Sequence, residues 1–181
     1  MMNTNEAYGS VAKWLHWVGA LLIIGMLTLG TVMSFVTDKV LRSDLIGIHK
    51  SIGLILLIFI LFRWIWRRIN IKPDFTTMLS NSHKKAVHFF HEFLYVAIFI
   101  MLLSGIIMTA AHHRVIPFFG WFTITFEWFP KSNSIHNFFN WTHLIFAWTL
   151  GVLLTGHIFA ALTPHFWHSD NTLNRMLPKK R

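Results

Sequence analysis

The chain has no cysteine among its 181 residues. That excludes disulfides, iron–sulfur ligation and the C-x-x-C-H attachment of a c-type haem, so any haem must be held non-covalently. Acids are scarce as well, seven Asp and Glu against sixteen Lys and Arg. Within the apolar stretches Glu92 is almost the only carboxylate. This weighs against zinc or di-iron centres, which recruit Cys, Asp or Glu beside His. Charged residues make up only 13% of the chain and hydrophobic ones 54%, a balance that belongs to the membrane class rather than to soluble domains.

What is present is apolar length. Four runs, Trp14–Val36, Leu45–Trp66, His88–Ala111 and Trp141–Thr163, reach the roughly 20 residues that cross a bilayer. Their connections are too short and apolar to hold a soluble domain, so residues 1–181 are expected to form one all-α, four-helix membrane domain. The first run is too long for a signal peptide and lacks a small-residue cleavage pattern. The formal net charge of +9 is a topology signal. Lys13, Arg63, Arg67, Arg68, Lys72, Lys84, Lys85, Arg175, Lys179, Lys180 and Arg181 fall on one side of a four-span arrangement, and Lys39, Arg42, Lys50, Arg114 and Lys131 on the other. Positive charge gathers on the cytoplasmic side, which places both termini there. The same bias attracts anionic lipid and gives no reason to invoke nucleic acid.

The first helix is expected to start near Ser10 as N-cap, and the second near Ser43 or Asp44 after a loop over Thr37–Ser43. The fourth is expected to begin near Ser134 and to close at Pro164. The aromatic stretch Ile116–Pro130 reads as an interfacial anchor in the outer headgroup layer, with a lid over a site as the alternative.

Four histidines lie inside the runs: His16, His49, His143 and His157. An ionisable residue in a span is a functional candidate by default. His143 and His157 are separated by about 21 Å along the fourth helix and lie within about 40° of one another around it. One helix therefore offers a ligand toward each membrane face. By depth His16 matches His157, and His49 matches His143. Two axial pairs at two depths suit two stacked haems, and bis-imidazole ligation favours electron transfer over oxygen binding.

For any one of these residues the competing reading is an interfacial histidine with its polar tip in water; the joint pattern argues against that. His88 and His91, one turn apart next to Glu92, could be interfacial, could bond a haem propionate or could supply protons to a quinone. Arg63, Arg67 and Arg68 on one side, and Arg42, Lys50 and Arg114 on the other, are placed to meet propionates. His83 joins the cluster at the start of the third span, and His112, His113, His136, His165 and His168 read as headgroup-layer residues.

The segments W-L-H-W (14–17), I-H-K-S-I-G (48–53), H-E-F-L-Y (91–95), W-T-H (141–143), G-H (156–157) and the tail F-W-H-S-D-N-T-L-N-R-M-L-P-K-K-R (166–181) resemble the bacterial cytochrome b561 family across essentially the whole chain. The resemblance implies a bundle with two b-type haems on His16, His49, His143 and His157, and exchange of electrons with quinone. The tail is most similar to a member that oxidises superoxide and reduces ubiquinone. Outer cations would steer such an anion. The other reading is an anchor or electron-carrier subunit that serves a redox partner protein. A proton-coupled or metal transporter ranks last, because span centres such as Leu54–Leu61 lack polar groups.

Overall fold

The computed structural model describes residues 2–5, 7–71, 73, 81–167 and 176, with the side chains at 83 and 164–167 not included. Lys72, Arg175, Lys179, Lys180, Arg181, His168 and most of the tail motif lie outside the described residues, as do the side chains of His83 and His165.

Four long helices carry the chain: α1 (Ser10–Phe35), α2 (Lys39–Ile69), α3 (Asn81–Ala110) and α4 (Asn133–Trp167). Each is long and apolar enough to cross a membrane. A small antiparallel hairpin, β1 (Ile116–Phe118) and β2 (Phe122–Ile124), pairs Ile116 with Ile124 and interrupts the connection between α3 and α4. The membrane bundle is the one expected. Its ends differ in three ways.

α1 starts at Ser10, but Gly9 is its N-cap and no side chain bonds there. α2 starts at Lys39, earlier than expected, because Asp38 caps it by accepting a 2.8 Å bond from Leu41 N. The polar residues Lys39 and Arg42, expected in the loop, form its first turn. α4 runs on through Pro164 to Trp167.

The helices run antiparallel in sequence order. α1 packs on α2 and α3 on α4, while a lighter α2–α3 contact joins the two pairs. The start of α1 and the end of α4 lie at one face of the bundle, here the terminal face. The other is the hairpin face. Leu56, Ile60, Ile98, Met101 and Leu150 form the buried centre, and a second cluster of Ala110, Ile116 and Phe126 seats the hairpin segment. Much of the outward surface is apolar, including Leu21, Ile58, Trp148 and Val152, as lipid contact requires. Lipid is as apolar as leucine, so close packing rather than burial holds the helices together. At Gly19 an added Cβ would come within 3.2 Å of the Phe59 ring.

Candidate functional site

The start of α1 and the last third of α4 bring His16 and His157 together near the terminal face, with ring centres 6.2 Å apart. Toward the hairpin face α2 and α4 bring His49 and His143 together at 6.3 Å. The depths agree: His49 is ten residues into α2 and His143 ten residues into α4, about 15 Å each. The earlier start of α2 sets His49 deeper than expected without upsetting the match.

The two separations are nearly equal, and the value has a meaning. A metal–imidazole bond is about 2.0–2.1 Å, and the bonded nitrogen lies about 1.1 Å from its ring centre, so imidazoles on opposite sides of one ion stand about 6.3 Å apart. Each pair is spaced so that one metal ion could be held between its two rings. Among the described residues no three His, Cys, Asp or Glu side chains form a metal cage. Each place offers two imidazoles and, among the described residues, no further donor, which would suit a metal that brings its other ligands with it, as haem iron does.

The rings are oriented differently. His143 Nδ1 lies 2.8 Å from the Met101 carbonyl, which only accepts, so this nitrogen carries the proton and Nε2 keeps its lone pair. Ser104 Oγ stands 3.4 Å from the same nitrogen. Gly105 gives the ring room, since a Cβ there would meet it at 3.1 Å. At His16 the relation is reversed: Arg63 donates to Nδ1 over 2.8 Å. A neutral His16 therefore carries its proton on Nε2. A metal bound there would replace that proton, and the guanidinium would balance the charge left on the ring. His49 Nδ1 is buried without a hydrogen-bond partner among the described residues.

Around the terminal-face pair, Arg63 and Arg67 lie 5.5 and 5.7 Å from the centre of the buried Tyr95 ring, within cation–π range. Glu92 accepts from Arg68 at 2.6 Å and pairs with Arg67 at 3.8 Å. His91 joins this group, its ring 5.5 Å from that of His157 and its Nδ1 donating to Val87 O over 2.7 Å. His88 is half-buried on the preceding turn.

At the hairpin face Lys50 donates to Val115 O over 3.1 Å and lies within electrostatic reach of Arg114, whereas Arg42 is exposed on the first turn of α2. His112 and His136, expected in the headgroup layer, contact each other. Their rings stack 3.5 Å apart, with Asn133 on His112 and Met108 O on His136. Desolvation and the neighbouring His136 both lower the His112 pKa.

Ser104, Gly105, Tyr95 and the Met101 carbonyl were not anticipated. A backbone acceptor has no sequence signature, and Gly105 reads as one small residue among several.

Nearly the whole chain is similar in sequence to known proteins. Residues 7–179 match the prokaryotic cytochrome b561 family. Cytochrome b561 homolog 2 of Escherichia coli (strain K12) is 32% identical over 180 residues, covering 98% of this chain and 94% of the relative. The chain is thus a member of the prokaryotic cytochrome b561 family, a multi-pass membrane electron-transfer protein of the haem b class.

Proposed function

We propose that the protein holds two b-type haems, one on His16 and His157 and one on His49 and His143, and carries electrons across the bacterial inner membrane to ubiquinone. The observation that carries this reading is the pair of equal ring separations, 6.2 and 6.3 Å, at two depths of one bundle. Haem b supplies one-electron redox chemistry there. Two histidines would hold each haem, which favours electron transfer over oxygen binding, and the surrounding helices would keep water out. Arg63 near the terminal-face site, and Lys50, Arg114 and Arg42 near the other, supply cations for propionates.

Positive-inside bias supports a cytoplasmic terminal face and a periplasmic hairpin face. Lys50 and Arg114 then meet a periplasmic donor, and superoxide, a small anion, suits the field they create. Superoxide generated outside proteoliposomes should yield ubiquinol above the protein-free control. The absence of turnover, together with co-purification of a soluble dehydrogenase, would instead favour an anchor or carrier subunit.

His91 is the candidate proton donor to quinone. Its Nδ1 proton is committed to Val87 O, so Nε2 is the nitrogen that can exchange a proton. His91→Phe should slow quinone reduction about a hundredfold with both haem spectra intact; an unchanged rate would remove His91 from this role. His88, one turn away, is a candidate hydrogen-bond donor to a propionate, and His88→Ala should then perturb the terminal-face haem alone.

A further inference from the structure

The segment I-H-K-S-I-G contains one proposed ligand, His49, and beside it Ser51, to which the haem reading gives no role. Ser51 and its neighbours on α2 hold the hairpin. Ser51 is wholly buried, and its hydroxyl lies 2.6 Å from Pro117 O and 2.9 Å from Gly47 O. It also accepts from Phe119 N over 3.2 Å. Lys50 donates to Val115 O over 3.1 Å. At Gly47 an added Cβ would come within 3.2 Å of the Pro117 ring. Three α2 residues within two positions of His49 thus fasten the segment 115–119.

The fastening is costly in one place. Phe119 sits at φ 49°, a left-handed conformation that disfavours residues with a Cβ and persists only where the surroundings enforce it. The Phe119 N–H is the group bonded to Ser51. Gly47 and Ser51 share one face of α2, and at about 100° per residue His49 points to the opposite side, toward His143. The hairpin therefore braces the back of the helix whose front presents His49.

His49 needs such a brace. His143 is oriented through Met101 O and His16 through Arg63, but His49 Nδ1 has no hydrogen-bond partner among the described residues. Its aim depends on where α2 is held. We infer that the hairpin is a positioning element for the hairpin-side haem, and that Ser51 is the residue through which it acts. This inference rests on His49 being an axial ligand.

The test uses purified holoprotein in nanodiscs, with haem retention, the low-spin ferric electron paramagnetic resonance signals and the midpoint potential read for each haem. Signals are assigned with His49→Ala and His16→Ala. Ser51→Ala should speed haem loss at the hairpin-side site about tenfold and shift that haem's signal and potential, leaving the other haem unchanged. Adding Phe119→Gly should restore part of the retention, because glycine adopts the left-handed turn without help. Two unaltered haems in Ser51→Ala would overturn the inference, as would equal loss of both, which would make Ser51 a residue of general folding. A wild-type protein lacking two haems would overturn the ligand reading instead, before any variant is made.

Discussion

Replacing His143 with alanine should remove one haem per chain and abolish transmembrane electron transfer, while the haem proposed on His16 and His157 should keep its low-spin spectrum. The size of the effect follows from the ligand set. His143 is the better prepared ring of its pair, with Nδ1 committed to Met101 O, and among the described residues no third metal-ligating side chain completes a cage with its partner. A six-coordinate iron stripped of one axial ligand turns high-spin or is released. Haem content should fall from two to one, and superoxide-dependent ubiquinone reduction to background. A variant that kept two low-spin haems would mean that another residue takes this position. Gly105→Val should reproduce a weaker form of the same defect, because a Cβ at that position already meets the His143 ring at 3.1 Å.

Arg63→Met should produce the second large effect, at the other site. The guanidinium donates to His16 Nδ1 at 2.8 Å and lies beside the Tyr95 ring. Methionine keeps the bulk and removes the charge and the bond. Loss of an outer-shell partner of a metal-bound histidine costs about 10–100-fold in affinity, so haem should wash out of the terminal-face site during purification while the hairpin-side haem is retained. Arg63→Lys should rescue only in part, since a lysine is a point charge without the planar fork. Equal retention of both haems in Arg63→Met would show that Arg63 does not act through His16.

The two sites were not equally readable in the sequence. The spans and the histidine pairs were legible because both rest on periodicity. A run of about 20 apolar residues and a 14-residue same-face spacing need no tertiary information. The helix ends were harder. Asp38 caps α2, although the polar residues after it, Lys39 and Arg42, read as loop; a polar first turn is normal where a helix emerges from the membrane. Pro164 reads as a stop, yet a membrane helix tolerates proline when its neighbours satisfy the freed carbonyl.

The hairpin was invisible for a different reason. Its strands are three residues each, too short for a period-2 signal, and what fastens it is Lys50 and Ser51 on another helix. The partners of His143 and His91 are main-chain carbonyls of Met101 and Val87, and main-chain groups carry no residue identity.

The central claim is that two histidine pairs hold two haems. A pyridine haemochrome assay on detergent-purified protein, normalised to chain concentration and read beside a reduced-minus-oxidised spectrum, tests it most directly. The account predicts two b-type haems per chain, both low-spin. One haem would show that one of the two pairs is misassigned, and none in a folded preparation would contradict the ligand assignment altogether.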